Sequence, residues 1–358
     1  MIRVCLAGGG TGGHISPAIA ISEALQRTGI CECFFVATHR LVDRRMYSSY
    51  GSRVHYMESP RLDIGGFGSK LLLPLKGLSA VLKARKLLRL EGADIVLATG
   101  GYSSFYSVLA AKSMGLPVML HDSNSVPGRS NRVAALVSDL VMVGFSGACS
   151  YFRGACEFTG NPVRYNLRRI NPLKARDALG LSPELPVVLF LGGSQGARSL
   201  NDLALQCPDD VQVLLQSGRR NGERVQKLSA GRPNLRPFDF VDDPSEIYSA
   251  ADVALARAGA MSVAELAWFR LPSVLIPYPH AADAHQLRNA MEVAGLGGAL
   301  LLREPEASGE KVWNLVQDLL DDSARRKEMS MALIGLMPEN PAAKIARRVV
   351  RACWRPAV

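Results

Sequence analysis

Short apolar runs alternate with stretches of helical period through most of the chain, and that alternation predicts parallel β-sheets. In the first half, strands are expected at Arg3–Ala7, Cys33–Ala37, Ile95–Thr99, Val118–His121 and Leu140–Val143. Between them, Pro17–Thr28 reads as a helix that opens at its proline and ends near Gly29. Ser103–Met114 reads as another, stopping before Gly115 and Pro117. The second half repeats the rhythm, with strands at Leu185–Leu191, Val211–Gln216, Leu235–Phe240, Val253–Ala256, Ser273–Pro277 and Ala299–Leu302. Its helices are expected from about Ala197, then near Pro244–Ser249, Ser262–Phe269, Ala284–Ala294 and Glu310–Leu320. A basic amphipathic helix, Ala342–Cys353, closes the chain.

Glycine-rich strand-to-helix turns recur at Gly8 and Gly192, about 184 residues apart, which suggests two similar nucleotide-fold units. The break between them is expected near Gly160–Arg164, where GNPVR carries turn chemistry. A length of 358 residues, 48% hydrophobic and 21% charged, suits two globular domains, each with its own core. The opening MIRVCLAGGG reads as a buried strand and leaves no room for a signal peptide. No apolar run is long enough for an ordinary transmembrane helix.

The seven cysteines form no C-x-x-C pair and are odd in number, so reduced thiols in a cytosolic setting are the simplest expectation. Cys31 and Cys33 have no second pair to complete a zinc site. The net charge of +10 sits mainly on the first half, where residues 1–160 carry 17 Lys/Arg against 10 Asp/Glu. Such a surface could face nucleic acid, an anionic membrane or a phosphorylated substrate.

The first glycine loop, Gly8-Gly9-Gly10-Thr11-Gly12-Gly13-His14, satisfies G-x-G-x-x-G between a strand and a helix. Its expected chemistry is an anion or a polar sugar held against backbone N–H groups at a helix N-terminus. A nicotinamide site should place a carboxylate at the end of the second strand, but that stretch reads Phe34-Phe35-Val36-Ala37-Thr38-His39-Arg40. The second loop, Gly192-Gly193-Ser194-Gln195-Gly196-Ala197-Arg198, breaks the dinucleotide spacing and lacks a Walker lysine. A third turn, Thr99-Gly100-Gly101-Tyr102, ends another strand at the same carboxyl edge. Three such turns favour a shared ligand crevice over three unrelated connections. There is no D-x-D triplet, so stabilising a departing diphosphate falls to helix ends, backbone donors and cationic side chains. No metal ligand and no cofactor is assigned, and assistance by a divalent cation is left open.

In order along the chain, GGGTGGH, TGGY, HDSN, TGNPVR, LGGSQGAR, FVDD, RAGAMSVAEL and HQLRNA resemble the MurG family of peptidoglycan N-acetylglucosaminyltransferases. The resemblance runs from about Val4 to Asn289. It implies an α/β fold of glycosyltransferase B architecture, two Rossmann-like parallel-sheet domains facing across a cleft. The final helix would cross back, giving a first domain of residues 1–160 with 341–358 and a second of residues 161–340. The activity implied is inverting transfer of N-acetylglucosamine from UDP-N-acetylglucosamine to the 4-hydroxyl of an undecaprenyl-pyrophosphoryl muramyl-peptide. Ser194 would meet the diphosphate, Arg164 the nucleotide and the backbone of Val241 the uracil. Gly259, Ala260, Met261, Ser262, Val263 and Ala264 would wrap the ribose and phosphates, and Glu265 would accept bonds from the ribose hydroxyls. Gln286, with His285, would read the sugar, while Thr11, Gly12, Gly13 and Asn124 would close over it.

Two departures from the family pattern stand out. Asp122 stands where the family usually has glutamate, and Ser103-Ser104-Phe105-Tyr106 stands where it commonly shows a small residue and glycine-proline. The leading base is His14, a residue type that titrates near neutral pH; a capping or sugar-binding histidine is its other reading. His121 with Asp122 is the rival base or orienting pair, and a core histidine with a backbone partner is the ordinary alternative. His280 and His285 are cleft-lining at most. Lys70–Arg89 carries six basic residues, no acid and Leu71, Leu72, Leu73, Leu75 and Leu78. It reads either as a surface for the inner leaflet of the membrane or as a core-facing helix with solvated lysines. The family's lipid-linked acceptor favours the former, with the enzyme peripheral on the cytoplasmic face. Nucleic acid is set aside, because no basic stripe is interleaved with aromatics. A transferase of the same architecture with another acceptor, or a catalytically weak UDP-sugar-binding scaffold, remain the alternatives.

Overall fold

Two all-parallel sheets organise the chain in the computed structural model, which describes residues 1–60, 73–193, 196–218, 221–239, 241, 243–337 and 340–354. One compact unit comprises Met1–Tyr165 and Glu339–Val358, the other Asn166–Pro338.

In the first unit the strands are β1 (Ile2–Gly8), β2 (Cys31–Ala37), β3 (Val54–Tyr56), β4 (Ile95–Gly100), β5 (Val118–Asp122), β6 (Leu140–Val143) and β7 (Cys156–Phe158). They pair in the order β3-β2-β1-β4-β5-β6-β7. The helices between them are α1 (Gly12–Gln26), α2 (Leu41–Met46), α3 (Leu73–Leu90), α4 (Tyr102–Ser113) and α5 (Arg129–Ala135). Alternate residues of β1 feed two cores. Val4 and Leu6 join Ile15, Ala18 and Leu25 of α1, while Cys5 and Ala7 join Ala84 and Leu88 of α3. Strands buried on both faces show no polar alternation, which is why they read as continuous apolar runs.

The second unit holds β8 (Val187–Leu191), β9 (Gln212–Gln216), β10 (Leu235–Phe238), β11 (Val253–Ala256), β12 (Ser273–Leu275) and β13 (Ala299–Leu301), in the order β10-β9-β8-β11-β12-β13. Its helices are α6 (Pro172–Ala178), α7 (Arg198–Ala204), α8 (Gly222–Leu228), α9 (Ser245–Ala250), α10 (Ala260–Phe269), α11 (His285–Gly295), α12 (Gly309–Asp321) and α13 (Ser323–Ala332). Both sheets are doubly wound, with the strand order reversing between β1 and β4 and between β8 and β11. In such sheets, ligands bind at the carboxyl ends of the strands that flank the reversal.

The last helix, α14 (Pro341–Cys353), belongs to the first unit. Asn340 caps it by accepting from Ala343 N, and Pro341 occupies its first turn. Ile345, Ala346 and Val349 share one face and complete the core around α1. Lys344 Nζ donates to Phe158 O at 2.8 Å. Glu157 pairs with Lys344 at 3.3 Å and with Arg348 at 2.7 Å, so edge strand β7 grips the helix from the side.

Three expectations are corrected. Helix α1 begins at Gly12, inside the glycine loop, with Pro17 within it. Thr11 is extended, and its carbonyl already accepts from His14 N and Ile15 N, so the helix is established before the proline arrives. The cysteines are not all reduced: Cys149 and Cys156 are joined by a disulfide, their Cα atoms 5.6 Å apart, while Cys5, Cys31, Cys33, Cys207 and Cys353 are free thiols. The pairing arises because Ser146–Tyr151 turns the chain back before β7, a geometry that residue spacing does not reveal. The edge strands β3 and β7, three residues each, were not foreseen, being too short to show a period. Among the described residues, no helix is long and apolar enough to cross a membrane.

Candidate active site

In the first unit, the turn after β1 and the turn after β4 meet at the strand reversal. His14, at the start of α1, lies between them. Its Nδ1 is 3.1 Å from Thr99 O, and Thr99 Oγ1 donates back to His14 O at 2.7 Å. A carbonyl only accepts, so Nδ1 is the donor in this contact; whenever the ring is neutral, the lone pair therefore falls on Nε2. Gly100 makes this seat possible. At φ +113° it adopts a backbone that side chains rarely take, and a Cβ there would fall 2.5 Å from Nδ1.

Residues that carried no motif signal hold the loop itself. Asp43, fully buried, accepts from Gly10 N at 3.0 Å and from Thr38 N at 2.9 Å. Arg40 Nη1 donates to Gly10 O at 3.0 Å, and the buried Tyr47 Oη donates to Gly8 O at 2.9 Å. The Gly10 N–H is thus already engaged by a carboxylate and is not among the loop's donors for a ligand. Thr11 and Gly13 are exposed at the same turn, with Gly12 half-buried.

His121 and Asp122 end β5, one layer below the surface. His121 is fully buried, and its Nε2 faces Gly160 O at 3.3 Å. Burial pulls its pKa down to about 4, with the Gly160 bond pulling the other way. Asp122 Oδ1 accepts from Asn124 N at 2.9 Å and Oδ2 from Asn131 Nδ2 at 2.7 Å. Burial pushes its carboxyl up from the usual value, against the donors from Asn124, Asn131 and Gly128 and the charge of Arg132. Asn161 Nδ2 reaches back to Ser123 O at 2.9 Å, so HDSN and TGNPVR lock together. This is the arrangement of a core histidine with a backbone partner. The geometry brings Asp122 to its own loop rather than to the His121 ring.

In the second unit, β11 runs into Arg257, Gly259 and helix α10. Arg257 is buried and donates to Ile276 O at 3.0 Å, to Ser199 Oγ at 2.9 Å and to Glu304 Oε1 at 2.7 Å. Burial works to raise the Glu304 pKa, but the bonds from Arg257 and Ser199 prevail and the net shift is downward. This cluster ties the first turn of α7, which follows the second glycine loop, to the ends of β11 and β12. Glu265 Oε2 accepts from Tyr248 Oη at 2.6 Å, and the Tyr248 ring stacks on Phe269 with centroids 4.8 Å apart. Asn289 Nδ2 donates to Ala258 O at 3.1 Å, bracing the turn before α10.

The sequence matches two profiles over most of its length: the glycosyltransferase family 28 N-terminal domain over residues 4–143 and its C-terminal domain over residues 187–349. It is 34% identical over 340 residues to the UDP-N-acetylglucosamine–N-acetylmuramyl-(pentapeptide) pyrophosphoryl-undecaprenol N-acetylglucosamine transferase of Shewanella loihica, covering 91% of this chain and 90% of that one. The protein of the same name from Shewanella amazonensis is 33% identical over 366 residues, covering 98% of each. The chain belongs to glycosyltransferase family 28. The crystal structure of Acinetobacter baumannii MurG superposes with a TM-score of 0.76 at 27% identity, covering 98% of this chain and 100% of that one.

Family membership makes the chain a glycosyltransferase and directs attention to the residues implied for the donor. Val263 and Ala264 face the core of α10, whereas Met261, Ser262 and Glu265 are half-buried at its start, after Gly259 and Ala260. Val241 is half-buried. Gln286 Oε1 accepts from Tyr278 N at 2.9 Å, and His285 Nδ1 lies 2.6 Å from Ala282 O. Arg164 falls within the first unit, one residue before Tyr165 at its edge. Ser194 lies outside the described residues. Among the described residues, no group of three His, Cys, Asp or Glu side chains could hold a metal ion. Asp43, Arg257, Glu304 and Tyr248 were missed. Each acts through a partner distant in sequence, and none stands in a glycine motif that would draw the eye except Arg257, at the head of RAGAMSVAEL.

Proposed function

We propose that this protein transfers N-acetylglucosamine from UDP-N-acetylglucosamine to the 4-hydroxyl of the muramoyl sugar on an undecaprenyl-pyrophosphoryl muramyl-peptide. The observation that carries the reading is the seat of His14 at the strand reversal, with Nδ1 tied to Thr99 O. Its support in kind comes from near-full-length relatives that bear this activity in their names. In the proposed step, Nε2 of His14 takes the proton of the acceptor hydroxyl as its oxygen attacks C1 of the donor. The new C1–O4 bond forms while the C1–oxygen bond to the β-phosphate breaks, and UDP leaves with the electron pair from the opposite face. That inverts the anomeric centre. Ser194 and the start of α10 meet the diphosphate, Glu265 the ribose hydroxyls and Gln286 the sugar. Asn124, held by Asp122, closes over the donor from the HDSN loop.

The acceptor's lipid brings the enzyme to the cytoplasmic face of the membrane. Helix α3 supports this reading: Ala80, Ala84 and Leu88 are buried, while Leu75, Leu78, Leu82 and Leu90 are 56–73% exposed beside Lys76, Lys83, Lys86 and Arg89. Exposed leucines among cations suit an anionic lipid surface, to which each cation contributes about 1 kcal/mol.

The test is UDP release from UDP-N-acetylglucosamine, with and without lipid-linked acceptor, in the native chain and His14→Ala. Acceptor-dependent release that falls about a hundredfold in the variant, with donor binding intact, is the expected result. Release that survives in the variant keeps the enzyme and moves the base elsewhere. Donor binding without release under any acceptor overturns the reading in favour of a binding scaffold.

A further inference from the structure

We propose that Asp43 is a positioning residue of this reaction: its carboxylate holds the β1–α1 glycine turn in the conformation that presents His14, and withholds the Gly10 N–H of that turn from anions. The inference rests on the reading of His14 above. A glycine-rich turn has more backbone freedom than any other, so something must select one conformation. The segment from Thr38 to Tyr47 does so. It supplies an acceptor for the Gly10 N–H (Asp43) and donors for the Gly10 and Gly8 carbonyls (Arg40 and Tyr47).

The fit is close enough to dictate sequence, because a Cβ on Gly9 would overlap Asp43 Oδ1. The carboxylate is fully buried and accepts from the backbone N–H groups of Gly10 and Thr38. Carboxylates held by such donors form strong charge-assisted bonds. Two consequences follow. The turn is fixed one residue before Thr11, whose carbonyl begins α1 and receives His14 N at 3.1 Å. And the Gly10 N–H, which an ordinary dinucleotide fold would offer to a phosphate, is already taken by the carboxyl oxygens of Asp43 at 3.0 Å.

The experiment compares the native full-length chain with Asp43→Asn, Asp43→Glu, Asp43→Ala and Arg40→Ala, reading melting temperature, kcat, donor KM and amide signals of the labelled protein. In Asp43→Asn, the volume is kept but an amide N–H now faces a backbone N–H. We expect kcat to fall tenfold or more while KM for UDP-N-acetylglucosamine stays within about twofold, and the Gly10 amide to lose protection from hydrogen exchange. Asp43→Glu, which restores the charge, should recover part of the loss. Arg40→Ala removes only an exposed strut, so it tests the cradle even if the Asp43 variants fold poorly, with an expected fall in kcat of about threefold at constant KM. In Asp43→Ala, inorganic phosphate should shift the Gly10 amide, and in the native chain it should not.

A folded Asp43→Asn with native kcat, or a drop in melting temperature without a change in kcat per folded molecule, overturns the positioning role. Equal phosphate response of the Gly10 amide in Asp43→Ala and native protein overturns the claim that Asp43 withholds that N–H from anions. If the native chain transfers to no acceptor, the proposed function fails while the exchange and phosphate measurements still decide the role of Asp43.

Discussion

Acidification from pH 7 to pH 4 should remove about 3 kcal/mol of stability through a single side chain, His121. The ring is fully buried behind HDSN, and its described hydrogen bond is the 3.3 Å contact to Gly160 O. In the unfolded chain the imidazole titrates at about 6.5, whereas burial holds it neutral in the fold down to about 4. The folded pKa is the lower of the two, so this contribution is complete above pH 6.5 and is withdrawn as the pH falls towards 4. At about 1.4 kcal/mol per tenfold change in proton affinity, the interval amounts to about 3 kcal/mol.

The same acid range contains opposing groups. Burial raises Asp122, which favours the fold as it protonates, while Glu157, held below its usual value chiefly by Arg348, has the opposite sense. The variant His121→Gln isolates the imidazole, because glutamine retains an N–H for Gly160 O but has no charge to gain. Urea unfolding of both proteins at pH 7, 5.5 and 4 should show the native curve falling faster by that margin. Parallel curves down to pH 4 would refute the reasoning, since His121 would then titrate as though in water. Transfer activity retained by folded His121→Gln would also remove it as the base.

Two further outcomes are expected. Tyr248→Phe takes a 2.6 Å donor from Glu265 while keeping the stack on Phe269, and should raise donor KM about tenfold, in line with about 1.5–3 kcal/mol for a bond to a charged group; an unchanged KM, measured with UDP affinity by calorimetry, would separate Tyr248 from donor binding. Glu157→Gln removes the charge between Lys344 and Arg348, and should lower stability by no more than about 1 kcal/mol, since Arg348 is well exposed to screening. The difference should shrink in molar salt; a loss that persists there would mean that packing, not charge, holds α14.

The local pattern determined a good deal. Strands buried on both faces are largely apolar, so β1, β4, β5, β6 and β11 were legible as runs, and Leu140–Val143 and Val253–Ala256 matched to the residue. Glycine turns after β1, β4 and β8 were legible because close backbone approach tolerates no side chain there, and they placed His14 at a carboxyl edge. What the sequence could not supply is which distant residues those turns would meet. The contact of Gly10 with Asp43 depends on β1 lying beside β2 with Ala7 opposite Val36, and that of His14 with Thr99 on β4 lying at the other side with Ala7 opposite Ala98. Register between parallel strands is a property of the assembled sheet and leaves no trace in spacing along the chain. For the same reason, Glu157 gripping α14 across 191 residues, the Cys149–Cys156 bridge and the burial of His121 were decided only when the sheet closed. Composition can propose a histidine as a base, but the packing around it decides whether solvent and substrate can reach it.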